Sequence, residues 1–406
     1  MYRQRWLTRR LQLSETILPI TVLTGARQTG KSTLLANEPM FGGYSYTTLD
    51  DPDSREKAHR NPAAFVDAAD KLIIDEAHRE PNLFLAAKEA LRKDKTRRFV
   101  LSGSANFLLL KQIQDSLAGR AAYHVLRQPL WTEWLQQPEP LWLLNMFDAQ
   151  LPEGGSVLSP VPVLDLRSIL FRGFLPGIRD AAPEQAAVFW QSYVTTYLER
   201  DLPDISPTTS LFDYRAVMRR VAMATGSLME FRKIADDTNV NEKTVSRYID
   251  AIQKAYLLSL LPPVPLMSTT SVRRQWKPYP CDTGLICSLL GLKTPEALDD
   301  TLCGHLFEDM VFMTLQILCD LGDMGMHFVR TRRTSQLHEV DFVLERNGKS
   351  VAVEAKMSDD VTMNDATHIQ WLMDDDPSCV SGIVIYGGSS IKNLTRRIVA
   401  VPWTML

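Results

Sequence analysis

The sequence predicts an α/β protein: a parallel sheet carrying a phosphate-binding loop, then a helical lid, a winged helix-turn-helix and a second unit of order αβββαβ. Three observations carry this. Gly25-Ala26-Arg27-Gln28-Thr29-Gly30-Lys31-Ser32 fits G-x-x-x-x-G-K-[ST] between an apolar, β-branched run and a helical pattern. Lys71-Leu72-Ile73-Ile74-Asp75-Glu76 is a short apolar strand that ends in two carboxylates. Near the C-terminus, Asp341 and Glu354-Ala355-Lys356 lie on two strand-like runs joined by Asn347-Gly348, the strongest short hairpin signal.

The first motif implies triphosphate chemistry. Gly25 and Gly30 permit backbone angles that turn successive amides from Gly25, Ala26, Arg27, Gln28, Thr29 and Gly30 into one concavity, and the helix opening at Lys31, Ser32 and Thr33 points its positive end there. Lys31 would reach the β- and γ-phosphates of ATP, and the Ser32 hydroxyl would ligate Mg²⁺. Asp75 would hold the same ion through its water shell, while Glu76 would orient and deprotonate the attacking water. Arg97 to Ser104 reads as a further strand whose Ser102 or Ser104 could sense the γ-phosphate. Arg120, after the turn at Gly119, could reach a γ-phosphate in its own or a neighbouring subunit.

Composition sets bounds. A chain of 406 residues with 45% hydrophobic and 23% charged residues is ordinary for a globular protein of several domains. The formal net charge of −3 means that any nucleic-acid binding must use local basic patches. No uninterrupted apolar run reaches ~18 residues, so no membrane-spanning helix is expected, and the N-terminus lacks the apolar segment of a signal peptide. A cytoplasmic protein is the expectation. Cys281, Cys287, Cys303, Cys319 and Cys379 show no C-x-x-C spacing, which favours reduced thiols over zinc or disulfides.

In the middle of the chain, helical patterns end and restart at Asn241. Ile234, Ala235, Val240, Val245 and Ile249 fall where a helix-turn-helix buries its contacts. Lys243, Thr244, Ser246 and Arg247 then face outward from the recognition helix, and Arg273-Arg274-Gln275-Trp276-Lys277 could form a basic wing that touches DNA. Residues 167–210 suit a lid over the nucleotide, with Arg200 as a second trans-acting arginine. His78, His124, His305, His338 and His368 read as structural.

These residues together resemble a known family, the AAA+-like, STAND-related ATPases that carry an AAA_14 domain followed by a DUF4143 region. The resemblance rests on Gly25 to Ser32, Leu72 to Glu76, Leu101 to Ser104, Ser116 to Arg120 with Gln128 to Leu130 and Glu133, Tyr197 to Leu202, Asp282 to Leu285 and Glu339 to Phe342. The Pro-rich stretch of residues 136–166 departs from it as an insertion, and Ser stands at the sensor position where many relatives carry Asn. The C-terminal order αβββαβ resembles the PD-(D/E)XK restriction-endonuclease-like fold. That fold implies Asp341 and Glu354 as ligands of one or two Mg²⁺, Glu308 as a further ligand, and Lys356 as the stabiliser of charge developing at phosphorus.

The division expected is 1–136 for the P-loop ATPase core, 137–210 for the insertion and lid, 211–268 for the winged helix, 269–300 for a connector and 301–406 for the nuclease-like domain. The function expected is ATP hydrolysis coupled to DNA binding or processing, with metal-dependent cleavage as an extension. The alternative is a STAND-type signalling ATPase whose C-terminal fold binds a protein partner without cutting. A ring or other homo-oligomer is implied by the resemblance and by Arg120.

Overall fold

The computed structural model describes residues 2–103, 117, 119–152, 155–156, 166–205, 210–264, 275–333 and 336–406. Ser104, Asp115, Ser116, Arg273, Arg274 and the side chain of Arg200 lie outside the described residues.

The N-terminal sheet is parallel throughout. Its strands are β1 (Ile20–Thr24), β2 (Ser45–Thr48), β3 (Lys71–Asp75), β4 (Arg98–Ser102) and β5 (Ala121–Val125), in the order β2-β3-β4-β1-β5. Parallel strands need crossovers, so both faces are covered and the strands read as continuous apolar runs. Ile20, Val22, Leu72, Ile74, Phe99 and Leu101 fill one layer of the core, and Leu23, Ile73 and Val100 fill the other. β4 separates the strand before the phosphate loop from the strand that ends in acids, as expected of ATPases with an inserted strand. The apolar run before the loop begins later than its sequence suggests, because Leu7–Ile17 is helical.

Beyond the lid helix Pro183–Ile205 come the helices Leu211–Ala222, Phe231–Thr238 and Glu242–Lys254. The antiparallel pair β7 (Leu258–Leu261) and β8 (Lys277–Pro280) completes a winged helix. β8 therefore belongs to the wing, and the connector expected over 269–300 begins too early.

The C-terminal sheet has the order β6-β13-β14-β12-β11-β10-β9. Its strands are β6 (Gly155–Ser156), β9 (Gly325–Arg333), β10 (Gln336–Arg346), β11 (Lys349–Lys356), β12 (Cys379–Tyr386), β13 (Ser390–Asn393) and β14 (Ile398–Pro402). Asn347 and Gly348 both adopt positive φ, 51° and 75°, which turns β10 tightly into β11. Helix Asp300–Gly322 packs Phe307, Val311 and Leu315 on one face of the sheet, and helix Thr367–Asp375 packs Ile369 on the other. The αβββαβ order is present. The first of these helices is long and apolar enough to cross a membrane by composition, but most of it is buried in this core.

The insertion is not part of the lid. Leu143, Met146 and Phe147 share a core with Val351 and Val353, the Ser381 hydroxyl donates to Met146 O at 2.7 Å, and β6 extends the C-terminal sheet through β13.

Candidate functional site

The phosphate loop leaves β1 with Gly25 at φ 144°, where a Cβ would meet the Leu126 carbonyl oxygen at 2.2 Å. Gln28 (φ 63°) and Gly30 (φ 96°) continue the left-handed backbone that turns amides inward, and Gly30 caps the helix Lys31–Asn37. The Lys31 ammonium is folded back onto the loop, donating to Gly25 O at 3.0 Å and Ala26 O at 2.8 Å. Arg5, which sequence reading missed, braces the same loop. It donates to Thr29 O at 3.1 Å and Arg127 O at 2.8 Å while paired with Glu133 at 3.1 Å, the first and last of these buried.

Asp75 is buried, 2% exposed, at the end of β3. Tyr46 Oη from β2 donates to Asp75 Oδ2 at 2.8 Å, the Ser102 hydroxyl from β4 donates to Oδ1, and the Glu76 amide reaches Oδ1 at 3.1 Å. Ser102 thus holds Asp75 in place, which is a positioning contact. The Ser32 hydroxyl also acts on the Tyr46 phenol, so one phenol lies near both expected magnesium ligands. Burial, and then Asp75, raises its proton affinity above the usual tyrosine range. Glu76 takes φ 55° without being glycine, a strained conformation of the kind found where a side chain must be aimed. His78 Nδ1 lies 3.1 Å from Glu76 Oε2. Burial first, then Arg79, Arg27 and Lys31, pushes this imidazole down to about 4, so it is neutral beside Glu76 at pH 7.

Two hollows flank the loop. One of about 400 Å³ is lined by Lys31, Ser32 and Glu76, with Pro176, Tyr193, Thr196 and Tyr197 of the lid opposite. The other, about 640 Å³, lies between Thr29, Gly30 and Thr33 and the segments around Arg3, Trp134 and Arg179. The Ser32 hydroxyl and the Glu76 carboxylate line the first, and oxygen donors of this kind suit a hard cation such as Mg²⁺.

Arg120 is not among these residues. β5 runs parallel to β1 with Ala121 opposite Ile20, so Arg120 sits at the strand-start edge of the sheet, exposed, while the loop follows the strand ends. A strand of that length puts roughly 15 Å between the two edges. Within its own chain Arg120 therefore does not act on the nucleotide.

In the C-terminal domain, Glu308, Asp341, Glu354 and Lys356 do come together, but around a residue that sequence reading placed elsewhere. Lys277, expected on a DNA-facing wing, is 1% exposed. Its ammonium lies 3.0 Å from Glu339 Oε1, 3.2 Å from Glu308 Oε1 and 3.5 Å from Asp341 Oδ1. Tyr279 Oη donates to Glu308 Oε1 at 2.6 Å, the Ala355 amide donates to Asp341 Oδ2 at 3.1 Å, and Lys356 donates to Glu354 Oε2 at 3.1 Å. Burial raises the Asp341 carboxyl, yet Lys277, Lys356 and the amide outweigh it and hold the group below the usual range. Burial, then Asp341, raises Glu308 to about 7 and lifts Glu354 well above its ordinary value. The expected metal ligands Glu308, Asp341 and Glu354 therefore do not form a ring of free carboxylates. Among the described residues, no group of three or more metal-ligating side chains is placed to hold an ion. As arranged, the pocket does not fit a divalent cation.

On the recognition helix Glu242–Lys254, Val245 and Ile249 are buried, while Lys243, Ser246 and Arg247 are exposed and Thr244 is half-buried. Asn241 caps the helix by accepting from the Lys243 amide at 3.0 Å. The five cysteines are free thiols.

Comparison with known proteins agrees with this architecture. Residues 18–134 match the AAA domain family, residues 163–296 a domain of unknown function (DUF8612), and residues 303–406 a second domain of unknown function (DUF4143). The chain is 26% identical over 389 residues to the uncharacterized proteins Mb2031c of Mycobacterium bovis and Rv2008c of Mycobacterium tuberculosis, covering 95% of this chain and 80% of each relative. Among solved structures, it is similar to the Walker-type ATPase paby2304 of Pyrococcus abyssi, at 14% identity and TM-score 0.43, over 71% of this chain and 96% of that one.

Proposed function

Given that the chain joins an AAA-type P-loop ATPase domain to a DUF4143 domain, we propose that it hydrolyses Mg²⁺-bound ATP over residues 25–33 and passes its nucleotide state to a DNA-binding winged helix. The observation that carries the reading is the hollow in which Lys31, Ser32 and Glu76 face one another beneath the lid. Mg²⁺ held by Ser32, with Asp75 behind it, would supply positive charge at the β- and γ-phosphates.

The protein's own part is to exchange partners. Lys31 leaves the neutral carbonyls of Gly25 and Ala26 for phosphate oxygens, which as charged acceptors bind an ammonium more strongly. Glu76 accepts the proton of the water that attacks the γ-phosphorus, and the bond to the bridging oxygen breaks to give ADP and phosphate. Neutral His78 leaves the charge of Glu76 available for that proton.

Coupling to the winged helix has a direct route. Tyr256 Oη, just after the recognition helix, lies 2.8 Å from the Thr24 hydroxyl, which immediately precedes the loop. Gln128, just beyond β5, donates to the Cys281 carbonyl just beyond β8. A loop that moves on binding phosphate therefore pulls on the start of the wing through Thr24 and Tyr256, while Gln128 ties the far end of the wing to the sheet. Lys243, Ser246 and Arg247 supply the surface that contacts DNA phosphates and base edges. Arg120 would act only across a subunit boundary, in a homo-oligomer that forms with ATP.

The burial of Lys277 among the carboxylates favours a C-terminal domain that binds without cutting, as in the signalling reading. The test is DNA binding at graded salt, with and without a nonhydrolysable ATP analogue, alongside DNA-stimulated phosphate release and sizing chromatography. Binding that falls steeply with salt supports the proposal. No binding at low salt in either nucleotide state overturns its DNA part.

A further inference from the structure

We propose that Lys277 is the resident cation of the C-terminal carboxylate pocket. It stands where the nuclease-like fold would place a divalent ion, and it makes the pocket a metal-free joint between the winged helix and the C-terminal domain. The inference is independent of the ATPase reading.

Lysine is almost never fully buried unless it is paired. Lys277 is buried, and it is brought by a different module from the acids around it. It extends from β8 of the wing, whereas Glu308 comes from the helix Asp300–Gly322, and Glu339 and Asp341 come from β10. The ligand atoms are already in use. Glu308 Oε1 receives both Lys277 and Tyr279, Asp341 receives Lys277 and the Ala355 amide, and Glu339 is shared between Lys277 and Arg330 at 3.3 Å.

On the remaining side, the backbone closes the pocket. A Cβ at Gly226 would lie 3.0 Å from Glu308 Oε2, and the positive φ of 70° there suits glycine. Among the described residues Glu354 Oε1 is the one fully buried carboxylate oxygen of the set with no hydrogen-bond partner, and Glu308 Oε2 is packed against Gly226, so the set offers no ring of open oxygens to a divalent ion. Charge gives the same answer. Glu308, Glu339, Asp341 and Glu354 face Lys277, Lys356 and Arg330, so a divalent ion would enter a pocket that is nearly neutral already, beside a fixed ammonium that repels it.

The experiment is Mn²⁺ binding to nucleotide-free, full-length protein, read by electron paramagnetic resonance of the unbound ion. It compares wild type, Asp341→Asn, Lys277→Met and the double variant. Any ion held at the phosphate loop is common to all four and cancels. The expected result is that wild type and Asp341→Asn bind alike, and that Lys277→Met gains a site that the double variant lacks. Mn²⁺ should then raise the melting temperature of Lys277→Met and leave that of wild type unchanged. The proposal is overturned if wild type binds an ion that Asp341→Asn loses, or if folded Lys277→Met gains no site. Should Lys277→Met not fold, wild type against Asp341→Asn decides the question alone.

Discussion

The two halves of the molecule each bury a lysine, and they hold it in opposite ways. Lys31 rests on two neutral carbonyls of its own loop, beside a hollow of about 400 Å³. Lys277 is seized by Glu308, Glu339 and Asp341. A neutral acceptor gives up an ammonium to a phosphate at little cost, whereas three carboxylates do not give it up without being left uncompensated. On the function proposed, the same residue type serves as a ligand-seeking group in one domain and as a structural ion in the other.

Substitutions can break that contrast, and the largest effect belongs to the nucleotide site. Glu76→Gln is expected to lower ATP turnover by ~10²–10⁴-fold while nucleotide still binds, measured as phosphate release against equilibrium binding. Next, Lys277→Met should cost about 3–5 kcal/mol of folding stability by leaving buried charges unpaired. Lys31→Ala, which removes the donor to the Gly25 and Ala26 carbonyls, should cost about 1 kcal/mol. Equilibrium denaturation of both variants checks this, and equal losses would erase the distinction.

A smaller effect tests the N-terminal domain through pH. Burial first, then Arg10, pushes the His124 imidazole down to about 4, and its Nε2 lies 2.9 Å from the Ser14 hydroxyl. The unfolded ring takes up a proton near the ordinary value of 6.5 and the folded ring only near 4, so the unfolded chain binds more protons in between. Stability contributed by neutral His124 is therefore present above pH 6.5 and lost as pH falls through that window. Denaturation across the window should show wild type losing roughly 2–3 kcal/mol relative to His124→Asn. The smallest effect is at the recognition helix, where Lys243→Ala and Arg247→Ala should each lower the slope of log affinity against log salt by about 1.

How much of this could be read from the sequence follows the range over which each feature is specified. The phosphate loop, the acid pair, the Asn347-Gly348 hairpin and the buried positions of the helix-turn-helix are local patterns, and each lies where its pattern places it. Lys277 was not legible, because a lysine at the end of a basic run reads as solvated and its acids Glu308 and Asp341 are 31 and 64 residues away. Arg5 meets Glu133 across 128 residues, and no spacing rule announces that pair. Strand β6 is two residues long and too short to alternate, so the sheet it extends was invisible from its own sequence. Arg120 was legible as a residue after a turn, but its place on the wrong edge of the sheet depends on the direction of β5.

The most direct test of the central claim is equilibrium binding of a fluorescent ATP analogue with Mg²⁺ to wild type, Lys31→Ala and Glu76→Gln. The account predicts that wild type and Glu76→Gln bind alike and that Lys31→Ala does not bind. Undiminished binding by Lys31→Ala would contradict it.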